Sequence, residues 1–176
     1  MPNTCYGIIA LFNKEANDKF SKLKTALKEN DIQRLDLPPH ITLAIYENID
    51  LEPLKEWFIE CSQNEKVLPI YFNHLGLFGL NVLFLAPKAN EKLLNLHKKV
   101  HEKFDNKYGE LGYHYSLHSG EYVPHASLVV SEKDKVLKAV EVISENFTAF
   151  NAEIVELCLC TFYPMKVIET ISLKRN

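Results

Sequence analysis

Two periods organise the hydrophobic and polar positions of this chain. A period of two marks strands at Thr4 to Phe12, His40 to Tyr46, Leu68 to Phe78, Asn81 to Ala86, Val123 to Ser131, Phe150 to Tyr163 and Val167 to Leu173. A period near 3.6 marks helices over Lys14 to Lys28, with Phe20, Leu23 and Leu27 on one stripe, and over Leu51 to Asn64, Asn90 to Tyr108 and Glu132 to Asn146. Asn13 is placed to cap the first helix, and Gly79 to turn the chain between two strands. Two loops remain, Asn30 to Pro39 and Gly109 to Tyr122. The second is long enough to suggest a binding role rather than a simple connection.

Laid side by side, the two halves repeat strand, helix, loop, strand, helix, strand. At the same place in each half stands a short pattern, Pro39-His40-Ile41-Thr42-Leu43 and Pro124-His125-Ala126-Ser127-Leu128. The histidines are 125 − 40 = 85 residues apart in a chain of 176. On a strand, alternate side chains share a face, so His40 points with Thr42 and His125 with Ser127. Ile41, Leu43, Ala126 and Leu128 then turn to the opposite face, under the helices. A proline opening each segment fits, because the first residue of a strand needs no ladder N–H. Matched element order around both motifs argues for an internal duplication whose motifs face one shared cleft.

Composition narrows the function without naming it. The chain is 47% hydrophobic and 24% charged, which suits one soluble globular domain of two lobes spanning residues 1–176. A net charge of −3 and a pI near 6.2 do not fit a protein that coats long nucleic acid by charge. A small anionic substrate or a short RNA end does fit. The opening residues lack a basic segment followed by a long apolar run, so neither a signal peptide nor a membrane span is expected, and cytoplasmic residence follows. Cys5, Cys61, Cys158 and Cys160 form no CxxC pattern and are expected to be reduced, buried thiols, with Cys158 and Cys160 on one strand face.

The two His-x-Thr/Ser-x segments, His40-Ile41-Thr42-Leu43 and His125-Ala126-Ser127-Leu128, resemble the signature of the two-histidine phosphoesterases, the group of the 2′–5′ RNA ligase-like proteins and cyclic nucleotide phosphodiesterases. The resemblance implies a bilobal α+β fold, with two antiparallel sheets flanking a central cleft and helices outside. It also implies catalytic roles for His40 and His125 and phosphate-binding roles for Thr42 and Ser127. The chemistry is coherent. Opening a 2′,3′-cyclic phosphate or a 2′–5′ phosphodiester needs a base for water and an acid for the departing oxygen. Two imidazoles with ordinary pKa values of about 6.5 supply both, and two hydroxyls donate to the non-bridging oxygens. No cofactor or metal is expected, the substrate being a nucleotide or RNA end and the protein a monomer.

Other residues are candidates of lower rank. Arg34 in the first loop is placed to touch a phosphate, and Tyr113, His114, Tyr115 and Tyr122 in or beside the second to line the cleft. His97 and His101 have a metal-gripping i, i+4 spacing but lack the glutamate of a metalloprotease motif, and are expected to flank the apolar stripe of their helix. His74 lies in a strand and is expected to be packed or solvent-facing rather than catalytic, and His118 belongs to the second loop. Two other readings stay open: a nucleotide- or RNA-binding module without activity on the same fold, and a partner-binding domain whose four motif side chains do not converge.

Overall fold

The computed structural model describes residues 4–33, 35–105, 110–162 and 164–175. Arg34 lies outside the described residues. The elements run β1 (Cys5–Phe12), α1 (Lys14–Glu29), β2 (His40–Glu47), α2 (Leu51–Ser62), β3 (Leu68–Phe78), β4 (Val82–Pro87), α3 (Glu91–His101), α4 (Glu110–Tyr113), β5 (Ala126–Val130), α5 (Lys133–Asn146), β6 (Phe150–Thr161) and β7 (Lys166–Ser172).

Local chemistry explains most of the boundaries. Asn13 accepts from Ala16 N at 3.4 Å and starts α1, and Asn90 accepts from Leu93 N at 3.2 Å and starts α3, each side chain satisfying one orphan N–H. The stripe Ala16, Phe20, Leu23 and Leu27 is buried, as its spacing predicts. The aromatic rings of Phe12, Phe20, Phe72 and Phe150 interlock beneath it, with centroids 5.4–5.8 Å apart. Truncating a fully buried ring of this kind to alanine costs about 3–5 kcal/mol. No helix among the described residues is long and apolar enough to cross a membrane.

The predicted helix Asn90 to Tyr108 is too long: α3 stops at His101. Glu102 N bonds back to Lys99 O in a tightened last turn. Asp105 then accepts from Ser116 Oγ at 2.8 Å and Leu117 N at 3.0 Å, drawing the chain away to anchor the following loop. That loop in turn carries the single-turn helix α4, where sequence reading expects none.

The α+β class holds, with one correction to the sheets. In place of the two separate sheets expected, the strands form one antiparallel sheet in the order β2-β1-β6-β3-β4-β5, with β7 also on β6. The cause is the long strand β6. One edge of it pairs with β1 as far as Ile154, whose opposite edge meets Leu68 of β3. Further along, Glu156 to Thr161 pair with β7 on the edge that β3 has left. The sheet therefore splits into two wings that share one strand.

The wings curve towards each other until the end strands β2 and β5 come close without pairing. Ile41, Leu43, Ala126 and Leu128 are all buried on the helix side, as expected. His40 and Thr42 lie opposite Leu11 and Ile9 on the other face. Cys158 and Cys160 share that face and pack with Ile9, and all four cysteines are free and buried.

Candidate active site

His40 is the first residue of β2, whereas His125 stands one residue before β5, so the predicted strand Val123 to Ser131 begins late. Both rings are nevertheless fixed in the same way. His40 Nδ1 lies 2.7 Å from Pro38 O, and His125 Nδ1 lies 2.7 Å from Val123 O. A carbonyl oxygen can only accept, so each Nδ1 carries the proton and donates it to the carbonyl two residues back. In the neutral ring the lone pair then sits on Nε2. The two prolines assist by ending the ladder just before each histidine, which frees the preceding carbonyls to accept from imidazole.

Each ring also leans on a phenylalanine seated over a glycine. Phe162 lies 6.2 Å from the His40 ring and Phe84 lies 5.3 Å from the His125 ring, measured between centroids. A Cβ at Gly7 would collide with the Phe162 ring, and one at Gly76 with the Phe84 ring, so only glycine leaves room for these supports. Phe78 adds an edge contact to His125 at 4.8 Å, and Tyr115 stacks over it at 6.4 Å.

Burial holds the His40 imidazole below the usual histidine range; the Pro38 carbonyl opposes this, while the positive charges of His125 and Lys24 add to it. His125 therefore lies close enough for its charge to be felt at His40. Burial likewise lowers His125, against the Val123 carbonyl. Both rings are held so that they take up a proton less readily than a free imidazole.

The candidate residues distribute unevenly. His125, Ser127, His114, Tyr115 and Tyr122 line one cavity of about 560 Å³, completed mainly by Ile45, Phe78, Val82, Val123 and Val130. Thr42 is buried at 7% exposure and, with His40, stands on the facing strand outside that lining. His114 is exposed at the rim, its Nδ1 2.8 Å from Glu121 Oε2. Tyr113 sits edge-on to His114 at 6.2 Å and does not line the cavity. Among the described residues, no three His, Cys, Asp or Glu side chains come together as a metal-ligand set.

Sequence reasoning passed over the supports behind the site. His97 and His101 lie on the apolar stripe of α3, 3% and 1% exposed. His97 Nε2 donates to Tyr115 O at 2.7 Å, and its ring lies flat on Tyr122 at 3.6 Å. His101 Nε2 donates to Leu43 O at 3.0 Å, within the first motif, and its Nδ1 faces Asp105 at 3.3 Å. The signal was present: two polar residues at core positions of a helix require polar partners. Lys24 of α1 is a further support, its ammonium donating to Leu37 O at 2.6 Å just ahead of His40.

Comparison with solved structures places this arrangement among known folds. E. coli LigT complexed with 3′-AMP superposes with a TM-score of 0.63 at 13% identity, covering 98% of each chain. TT0787 of Thermus thermophilus gives 0.67 at 14% identity, covering 98% of this chain and 99% of that one. Usb1 of Kluyveromyces marxianus gives 0.56 at 12% identity, covering 96% and 98%. At such identities the likeness establishes the fold alone. No curated protein matches the chain in sequence. The model of the 2′-5′ RNA ligase superfamily, in contrast, matches residues 14–162, a span that holds both histidine motifs and the strand joining the wings, and this chain belongs to that superfamily.

Proposed function

We propose that the protein is a metal-independent phosphoesterase that opens 2′,3′-cyclic phosphate or 2′–5′ phosphodiester bonds of nucleotides or RNA ends. The observation that carries this reading is the matched commitment of both Nδ1 atoms to backbone carbonyls, which leaves Nε2 of His40 and of His125 for proton transfer. Membership of the 2′-5′ RNA ligase superfamily supports the phosphoester class. LigT, of the same fold, is known in complexes with 3′-AMP, ATP, NADP+ and phosphate, which supports a nucleotide-sized substrate.

The cavity suggests a direction. It lies on the His125 side and is mostly apolar and aromatic, as a nucleoside requires. In a cyclic phosphate the departing oxygen belongs to the ribose, so it leaves towards His125, and His125 is the acid. His40 is the base: its Nε2 takes a proton from water as the oxygen attacks phosphorus. The P–O bond to the ribose breaks in line, and the His125 imidazolium returns a proton to the alkoxide, giving a phosphomonoester and a hydroxyl. Thr42 and Ser127 donate to the non-bridging oxygens as their charge grows.

A hydrolysis panel of 2′,3′-cyclic nucleotides, cyclic-phosphate-ended RNA and 2′–5′ dinucleotides tests the reading. Turnover is expected with EDTA present and without added magnesium or zinc. Loss of activity on chelation, restored by one metal, overturns the mechanism. Binding without turnover of any substrate overturns the enzyme reading itself.

A further inference from the structure

The two motifs stand on opposite ends of a curled sheet, so the strand ladder alone does not set the gap between them. β2 and β5 come close but share no ladder. Among the described residues, two hydrogen bonds cross from the segment of the first motif to that of the second. Leu35 N reaches Leu128 O at 3.4 Å, long for a hydrogen bond, while Tyr122 OH donates to Thr42 O at 3.1 Å. The second is the more telling, because Tyr122 stands three residues before His125 and Thr42 two residues after His40. It joins the two motifs almost directly.

The tyrosine is held on its own side. Its ring lies flat on His97, centroids 3.6 Å apart and planes within 2°. His97 also donates to Tyr115 O, and the Tyr115 ring stacks over His125. One buried side chain of α3 thus seats both Tyr115 and Tyr122, the two tyrosines ahead of the second motif that line the cavity. The hydroxyl is committed to a backbone carbonyl, while the residue lines the cavity.

We propose that Tyr122 is a positioning residue: braced by His97, its hydroxyl holds the Thr42 carbonyl and so fixes the separation of His40 and His125. The inference rests on the two-histidine reading of the site. Burial pushes the phenol above the ordinary tyrosine range, so the hydroxyl keeps its proton and remains a donor across the working pH range.

The deciding variants are Tyr122→Phe, which removes only the hydroxyl, and Tyr122→Leu, which also removes the ring. Misplacement of reacting groups by an ångström can cost about a hundredfold, and loss of one neutral tie with the ring still seated should cost about tenfold in kcat. KM for the best substrate should change less than about twofold, because Tyr122→Phe leaves the cavity wall in place. An NMR titration of the imidazoles supplies a readout independent of turnover. The groups acting on His40 are the Pro38 carbonyl, His125 and Lys24. If His125 moves away, the lowering it exerts weakens, and the His40 titration point rises in Tyr122→Phe.

An unchanged kcat with an unmoved His40 titration overturns the tie. So does a kcat loss that only tracks a smaller folded fraction, with the titration unmoved. If Tyr122→Leu does not fold, Tyr122→Phe still decides. Should His40→Ala and His125→Ala both retain turnover, the two-histidine reading fails. Should they abolish it while Tyr122→Phe behaves as wild type in both readouts, only the tie fails.

Discussion

The His40 half and the His125 half of the cleft use one backbone device for two different surroundings. In both, Nδ1 donates to the carbonyl two residues back, and a phenylalanine over a glycine supports the ring. Beyond that they diverge. The His40 half is compact: Thr42 is buried, and Lys24 reaches in from α1 to hold the preceding loop. The His125 half is open, with a cavity of about 560 Å³ walled by aromatic and branched side chains. Orienting an imidazole takes a few residues of backbone, and it can be repeated unchanged. Accommodating the organic part of the proposed substrate takes volume, and among the described residues the cavity of about 560 Å³ lies on the His125 side.

The sharpest way to break this comparison is to remove each histidine in turn. His40→Ala and His125→Ala should each lower turnover of a cyclic nucleotide at least about a hundredfold, and the double variant should fall far short of the product of the two losses. The halves should then separate on a substrate with a good leaving group, such as bis(p-nitrophenyl) phosphate. An acid matters little when the departing oxygen needs no proton, so His125→Ala should recover most of its rate there while His40→Ala stays slow. Equal recovery of both variants would show that acid and base roles are not divided as proposed.

Removing the hydroxyls should cost less. Thr42→Ala and Ser127→Ala should each lower kcat about tenfold to a hundredfold, because water or the remaining donor partly replaces one neutral hydrogen bond. The smallest effect concerns charge. Lys24 lowers His40 but is not among the groups acting on His125. In Lys24→Gln the protonated form of His40 loses a repulsive neighbour, so its pKa rises. The acidic limb of kcat/KM should shift to higher pH while the NMR titration of His125 stays in place. A shift of both rings, or of neither, would argue against the division of the two halves.

Much of this molecule was legible in its residues, and the limits have physical causes. The period-two and period-3.6 patterns located the strands and main helices because they report local burial. Asn13 announced a helix start because an N-cap is a local hydrogen bond. The His-x-Thr/Ser repeats marked the candidate site because spacing two on a strand determines which side chains share a face. The single sheet was not legible, since pairing of β6 with β1 on one edge and with β3 and β7 on the other leaves no trace in the alternation of β6 itself. Nor was the end of α3 at His101, because what stops it is Asp105 holding a loop more than ten residues further on. His97 and His101 were visible as polar residues on an apolar stripe, but their partners, Tyr115 O and Leu43 O, are supplied only by the tertiary fold.

The shared strand also imposes an order on assembly. β1 leaves the ribosome ahead of the other strands, yet its partner on the β6 side, Ile154 to Thr161, follows only after β2 to β5 have been made. β1 pairs with β2 across α1, and β4 with β5 across α3, so both pairings close long loops, and the sheet ladder joins the two groups through β6. Until β6 is made, one edge of β1 and one edge of β3 lack their partner, which is the state most open to misassociation. The sheet that carries both motifs is therefore closed late in synthesis, when its shared strand is made.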